Sequence, residues 1–123
     1  MLIKGAKGFA PTKNYKVSAT FFDGYRSIGF LVIGGKDAAV KAQICGEAIL
    51  KKTESLMNDN NFAPFDETLI TVIGSNSIYG STPSMDMDIK EVTLRIVATH
   101  RDKSALRIFT KEIAQAATGM TPG

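Results

Sequence analysis

Residues 15–22 and 91–99 alternate apolar with polar residues, which is the pattern of a strand with one buried face, and residues 27–34 and 68–74 are two further β-rich runs. We predict strands over residues 15–22, 27–34, 68–74 and 91–99. Asp23-Gly24 separates the first two strands. Because Asp and Gly tolerate the positive φ of tight turns, this pair predicts a two-residue hairpin connection.

Two other segments show the three- and four-residue spacing of amphipathic helices. The first helix is predicted over residues 38–57, after an N-cap at Asp37 whose carboxylate accepts amide protons of the first turn. Its predicted buried stripe consists of Val40, Ile44, Cys45, Ala48, Ile49 and Leu56. The second helix follows an N-cap at Asp102, with the stripe Ala105, Ile108, Phe109, Ile113 and Ala116. The predicted element order is therefore ββαββα.

The two strand-to-helix units correspond when Asp37 is aligned with Asp102, which indicates a pseudo-repeat. Right-handed crossovers place both helices on one face of a four-stranded antiparallel sheet. We therefore predict an α+β two-layer sandwich, ferredoxin-like in circularly permuted order. Its other face stays uncovered and presents Phe30, Val32 and Val97, which is more apolar than a face meant only for water. We predict that these three residues form an interface with a partner.

Composition narrows the class of protein. The 123 residues are 44% hydrophobic, which suits one globular core and excludes collagen, coiled coil and wholesale disorder. Scattered charges summing to +3 are too weak to indicate nucleic-acid binding. A single cysteine permits no internal disulfide, and the chain has neither a signal-peptide pattern nor an apolar run near the roughly 20 residues that span a bilayer. We expect a cytoplasmic protein with no nucleic-acid or membrane partner.

Most residues that could carry chemistry have a plainer explanation. His100 is the only histidine, and a loop histidine is favoured over a general base because no acidic or nucleophilic neighbour is fixed beside it. Cys45 lies on the apolar stripe and is predicted to be an inert packing residue. Asp86 and Asp88 lie in the polar loop over residues 75–89, but two carboxylates without further oxygen ligands are usually only solvated. We expect no metal and no cofactor.

Two local motifs suit ligand binding. Tyr25 and Arg26 follow the predicted hairpin turn, and Tyr79 lies in the loop over residues 75–89. A phenol with a guanidinium can recognise a carboxylate, a phosphate, a carbonyl or a protein, although stacking at a hairpin tip explains them as well. Gly34-Gly35 leads from a strand to a helix start, where amide protons can hold an anion, although a turn that requires glycine is the simpler alternative. These alternatives stay open.

The order of several motifs resembles that of a known family. The motifs are Tyr15-Lys16-Val17-Ser18-Ala19-Thr20, Asp23-Gly24-Tyr25-Arg26, Gly34-Gly35-Lys36-Asp37-Ala38-Ala39-Val40-Lys41-Ala42, Gly46-Glu47-Ala48-Ile49-Leu50, Ile78-Tyr79-Gly80, Glu91-Val92-Thr93-Leu94-Arg95 and Thr118-Gly119-Met120-Thr121-Pro122-Gly123. With them, residues 15–123 resemble the later part of the conserved core of the acyclic terpene utilization AtuA family. We therefore expect residues 1–14 to be a lead-in and residues 15–123 to be one domain of a longer protein.

The resemblance implies a bacterial protein associated with breakdown of acyclic terpenoids such as citronellol and geraniol, whose intermediates are coenzyme A esters. It implies no reaction and no catalytic residue, so whether the chain is an enzyme stays open. One hypothesis is a domain, non-catalytic by itself, whose open sheet face packs on a larger α/β region or on a second copy. The alternative is a composite active site for an acyl or carbonyl intermediate, such as acyl-coenzyme A, with residues Tyr25, Arg26, Tyr79, Gly34 and Gly35.

Overall fold

The computed structural model describes residues 1–75, 77–78, 80 and 89–119. The described residues form three strands and two helices, in the order β1 (Tyr25–Gly34), α1 (Ala38–Asp59), β2 (Glu67–Ile73), β3 (Glu91–His100) and α2 (Lys103–Gly119). Where these elements were predicted with bounds, each end agrees to within two residues. The predicted α+β class is therefore confirmed.

Strand β3 lies at the centre of an antiparallel sheet with the order β1-β3-β2. It pairs with β1 from Tyr25↔His100 to Gly34↔Glu91, and with β2 from Glu67↔Thr99 to Ile73↔Thr93. Because successive side chains of a strand point to opposite faces, every second residue of β3 lies on the helix side. Those residues are almost completely buried and form the centre of the core: Val92, Leu94, Ile96 and Ala98.

Helix α1 approaches the sheet closely because small residues line its buried side. Ala38, Ala42 and Gly46 recur at four-residue steps and are all buried. A Cβ atom on Gly46 would lie 3.1 Å from methyl groups of Ile70 and 3.2 Å from Cδ1 of Leu94. The absence of a side chain on Gly46 therefore sets the distance between α1 and the sheet.

Close approach also decides which face of α1 is buried, and it corrects the predicted stripe. Val40, Ile44 and Ala48 were assigned to the buried stripe, but all three are exposed, Val40 and Ile44 by more than half. Each lies two residues from a member of the small-residue row, which is about 200° around the helix. Apolar character alone therefore identified the wrong side of α1 at these positions, because the side of the helix that contacts the sheet must carry small residues.

The two helix starts differ, although the pseudo-repeat treats them as equivalent. Asp102 caps α2 as predicted, since its Oδ1 accepts the backbone N–H of Ser104 at 2.7 Å. The predicted side-chain cap by Asp37 is wrong, because Asp37 adopts a left-handed conformation with φ 55° and makes no side-chain cap bond. A left-handed residue at this position turns the chain sharply from β1 into α1.

The strand predicted over residues 15–22 is not confirmed. These residues, which we call the arm, belong to no strand and are exposed throughout. The two-residue hairpin turns, types I′ and II′, both need positive φ at their first central residue. In the predicted turn that residue is Asp23, whose φ is not positive, whereas Gly24 has φ 88°. Within the described residues the sheet therefore has three strands rather than four, and the ferredoxin-like order is not confirmed. Alternation identifies side chains that suit a strand, but it does not supply a neighbouring strand edge.

Replacing Gly46 with leucine tests the contact between α1 and the sheet. The added side chain has no space beside Ile70 and Leu94, so we expect the free energy of unfolding to fall by about 1–3 kcal/mol. Ala48→Leu is the matched control, because Ala48 lies two residues further along the same helix and is exposed. Urea denaturation followed by circular dichroism measures both variants. Equal stability of the two would contradict the proposed packing.

Candidate functional site

The sheet face turned away from the helices carries exposed apolar side chains. Register places the residues that alternate with the core positions on this face, so that Phe30 is opposite Arg95 and Leu69 is opposite Val97. Phe30 is 58% exposed and Val32 is 70% exposed. We call the following set the apolar patch: Ile28, Phe30, Val32, Leu69, Ile73 and Val97.

The three residues predicted from the sequence as an interface, Phe30, Val32 and Val97, all belong to the apolar patch. Sequence reasoning missed Leu69 and Ile73, which lie in the nearly continuous apolar run of β2. Such a run does not show which side chains face the core, because both faces of the strand are apolar. Only the register with β3 assigns Leu69 and Ile73 to the open face.

One charged side chain lies in the middle of this apolar surface. Arg95 is paired with Phe30 on one side and Thr71 on the other. Its Nη2 donates to Oγ1 of Thr71 at 3.4 Å, while its buried Nε–H has no acceptor among the described residues. An unpaired buried donor costs about 1–3 kcal/mol. A partner that covers the patch would therefore gain stability by placing an oxygen atom opposite Arg95.

A second candidate surface is a polar cleft at one end of the sheet, where β1 and β2 begin and β3 ends. It encloses about 390 Å³. We define it by its lining residues, which are Asp23, Gly24, Tyr25, Arg26, Asp66, Glu67, Thr99 and Arg101. The only ion pair in the described part of the chain joins Lys52 to Glu112, so the two guanidinium groups of the cleft form none. Three carboxylates, those of Asp23, Asp66 and Glu67, line the same cleft, so a ligand that binds the guanidinium groups must also tolerate nearby negative charge.

Sequence reasoning found half of this cleft and missed the rest. Tyr25 and Arg26 were singled out from their own motif, whereas Asp66, Glu67 and Arg101 were not. The signal was available, because antiparallel neighbours bring the start of one strand beside the end of the next. Applying the predicted topology to strand ends would have placed Arg101 beside Arg26.

The structure separates the predicted ligand-binding residues. Tyr25 and Gly34 are the two ends of β1, so they lie about 30 Å apart along the strand. At the far end, the Gly35 amide donates to the carbonyl of Lys90 at 2.8 Å, and the Gly34 carbonyl accepts from Nζ of Lys41 at 3.0 Å. Gly34-Gly35 is thus a tight turn, with φ 91° at Gly35, whose polar groups bind the chain itself. Tyr79, Asp86 and Asp88 lie outside the described residues.

His100 is a buried residue at the end of β3 rather than the loop residue predicted from the sequence. Its Nδ1 accepts the backbone N–H of Asp102 at 2.8 Å, which places the proton of the neutral ring on Nε2. That Nε2–H donates to the carbonyl of Ala63 at 3.2 Å. Both ring nitrogens therefore hold the backbone, and His100 joins the connection before β2 to the start of α2.

The remaining candidates for chemistry are the Cys45 thiol and a metal site. Burial raises the pKa of the Cys45 thiol, which disfavours the reactive thiolate and agrees with a packing role. Among residues 1–75, 77–78, 80 and 89–119, no group of three or more His, Cys, Asp or Glu side chains is arranged to hold a metal ion. In the same ranges, neither helix is both long and apolar enough to cross a bilayer.

Comparison with known proteins identifies a family. The model of the family described as "Acyclic terpene utilisation family protein AtuA" matches residues 1–123. The match therefore includes the lead-in and the arm as well as the sheet and helices. No curated protein and no solved structure matches the chain.

Replacing His100 with leucine tests its structural role. Leucine removes both ring hydrogen bonds and leaves the Asp102 amide and the Ala63 carbonyl without their partner, so we expect the free energy of unfolding to fall by about 1–3 kcal/mol. The neighbouring exposed Arg101→Leu change is the control, with an expected effect within about 0.5 kcal/mol. Urea denaturation compares the two. An unchanged stability for His100→Leu would remove this role.

Proposed function

The chain belongs to the acyclic terpene utilisation family AtuA, and from this premise we propose that it serves acyclic terpenoid breakdown as an assembly domain that is non-catalytic by itself. The open sheet face packs on a larger α/β region of an AtuA-like protein or on a second copy of the chain. The apolar patch is the observation that carries this proposal. We place the domain in the cytoplasm, without nucleic-acid or membrane partners, as the later part of a longer protein.

Exposure of the patch supports packing because apolar surface gains from leaving water, by about 25 cal/mol per Å² buried. One row of the patch crosses all three strands without interruption, since Ile28 and Leu69 are both directly opposite Val97. Contiguous apolar surface on a soluble domain marks interaction sites more often than scattered apolar side chains do. The unpaired Nε–H of Arg95 adds a polar requirement that a specific partner can meet.

The variant Phe30→Thr with Val32→Thr tests the patch. Threonine reduces the apolar surface at both positions and has the β-branching that suits a strand, so the fold should survive. We expect the wild-type chain to self-associate in sedimentation equilibrium, or to bind a larger α/β region of an AtuA-family protein, at least tenfold more tightly than the variant. Circular dichroism verifies that the variant remains folded.

The matched control is Val40→Ala with Ile44→Ala. Both residues are apolar and exposed to a similar degree, but they lie on α1 and not on the open face. We expect this control to associate as the wild type does. Equal association of the wild type and the Phe30/Val32 variant in both assays, or equal losses in the variant and the control, would refute the proposal.

A second function is favoured by the two guanidinium groups of the polar cleft. In this alternative, Tyr25 and Arg26 contribute to a composite active site and orient the carbonyl or an anionic group of an acyl-coenzyme A intermediate. Arg101, on the neighbouring strand end, adds a second cation to the same cleft. Arginine suits this task because its planar fork of donors can bind two oxygen atoms at once. Gly34-Gly35 is not part of this second site, because it lies at the other end of β1.

Titration with acyl-coenzyme A tests the second function. Removal of a charge-assisted hydrogen bond costs about 1.5–3 kcal/mol, so we expect Arg26→Ala to weaken binding by tenfold or more in calorimetry. Arg107→Ala is the control, because Arg107 is exposed on α2 and lies outside the cleft. Absence of binding to the wild type, or equal binding by both variants, would eliminate the cleft as an acyl-coenzyme A site.

A further inference from the structure

We propose that the arm, residues 15–22, is an exchanged strand: it pairs antiparallel with the outer edge of β1 in a second copy of this chain. The occupant of that edge is thus a named segment of a partner copy. This inference goes beyond the proposed function, because it concerns an edge of the sheet and a specified partner and does not need the open face to be covered.

The arm has the composition of a strand but no strand beside it. Val17, Ala19 and Phe21 alternate with polar Lys16, Ser18 and Thr20. Val17 is 80% exposed and Phe21 is 81% exposed. In the described part of the chain, residues 15–22 make no backbone hydrogen bond. The apolar side chains of the arm and its backbone donors and acceptors are therefore all available to a partner.

The outer edge of β1 can receive such a strand. Residues 25–34 of β1 pair with β3 on one side only, and β1 is at the end of the strand order. An edge of this length presents backbone donors and acceptors to solvent, and natural proteins cover or blunt such edges. At β1 the centre of the edge is apolar and carries Ile28, Phe30 and Val32, so it lacks the charges that discourage strand addition.

In the described structure the arm does not pair with its own β1, because residues 15–22 belong to no strand and make no backbone hydrogen bond. The two-residue return predicted from the sequence needs positive φ at Asp23, which the structure does not have, while Gly24 has φ 88°. Exchange removes the need for the tight turn, because residues 23–24 then act as a hinge that directs the arm to another copy. Exchange of one element between identical copies also produces a closed two-fold dimer.

A register for the exchanged arm follows from the faces of β1. Within one chain Phe22 and Tyr25 meet edge to face with ring centroids 5.3 Å apart, and exchange would place Phe22 beside the Tyr25 of the second copy instead. Tyr25 is paired with His100, which is on the helix side of the sheet. If residue 22 is opposite residue 25, alternation then places residue 19 opposite Ile28 and residue 17 opposite Phe30, on the open face.

This register suits the character of both faces. Val17, Ala19 and Phe21 would extend the apolar patch by a fourth strand. Lys16, Ser18 and Thr20 would lie on the other face, at the outer margin of the sheet. A shift of one residue would put the apolar side chains on the opposite face, so the pattern excludes odd shifts of this register.

Disulfide trapping tests both the pairing and the copy to which the arm belongs. The variant carries Ala19→Cys and Ile28→Cys in a Cys45→Ala background. In an antiparallel pair, residues directly opposite each other have Cβ atoms about 4.5–5.5 Å apart, close enough for a disulfide after small adjustment. We expect oxidation to give a covalent dimer on a non-reducing gel, which a reductant converts to monomer.

The control changes only the face of the sheet on which the thiol of the arm lies. Thr20→Cys with Ile28→Cys, in the same background, puts the two thiols on opposite faces of the sheet, so we expect at least tenfold less covalent dimer. A disulfide within one monomer would show that the arm pairs with its own β1, and this would overturn the proposal. Two unreacted thiols, or equal dimer in both variants, would overturn it too.

Sedimentation of Ala19→Pro with Thr20→Pro gives a second measurement that needs no cysteine. One of any two successive amides of a strand points to its neighbour, so proline at both positions removes a donor to β1, and we expect the dimer dissociation constant to rise at least tenfold. The chain should remain folded, because the one ring contact of the arm in the described structure is that of Phe22 with Tyr25, and Ala19 and Thr20 are exposed; Ala6→Pro, in the lead-in, is the control. A wild type that stays monomeric at every concentration would overturn the proposal.

Discussion

Pairing of β3 on both of its sides is the constraint on which the rest of the structure depends. Ten residues of β3 have partners in β1, and seven of these also have partners in β2. The side chains of β3 therefore cannot move from one face to the other without breaking both ladders. One set, which includes Leu94 and Ile96, is then committed to the helices. The other set, which includes Arg95 and Val97, is committed to the face without helices. The core and the open face are therefore two results of the same register.

Packing on this strand explains the orientation of α1. The helix has apolar residues on more than one side, yet the row of Ala38, Ala42 and Gly46 lies against the sheet. Because these residues are small, the backbone of α1 comes close to Ile70 and Leu94 at Gly46, where a Cβ atom would lie only 3.1–3.2 Å from their methyl groups. Val40 and Ile44 remain exposed in consequence. The spacing of hydrophobic residues alone does not predict this orientation of α1, because it reflects the apolar area on each side of the helix and not how closely that side can approach the sheet.

Position along β1 decides which chemistry is possible. Arg26 shares its end of the sheet with Arg101, which is distant in sequence, whereas Gly34 is at the opposite end of the same strand. A single site that contains Arg26 and Gly34 is incompatible with an extended strand, since each residue adds about 3.3 Å. Membership in the AtuA family directs attention to acyclic terpenoids. The local geometry adds that assembly through the open face and binding in the polar cleft use different groups and can be tested apart.

The sequence by itself determined the element types and most of their bounds, because periods of two and of 3.6 residues are local properties of the chain. Alternation in β3 and the cap at Asp102 are examples, and the exposure of Phe30 and Val32 followed from the predicted sheet. Only the tertiary structure decided the rest. It excluded a strand at the arm in a single chain, buried His100 and turned Val40 outward. Each of these depends on which backbone edges and helix faces meet in space, and that information is not contained in the spacing of residues along the chain.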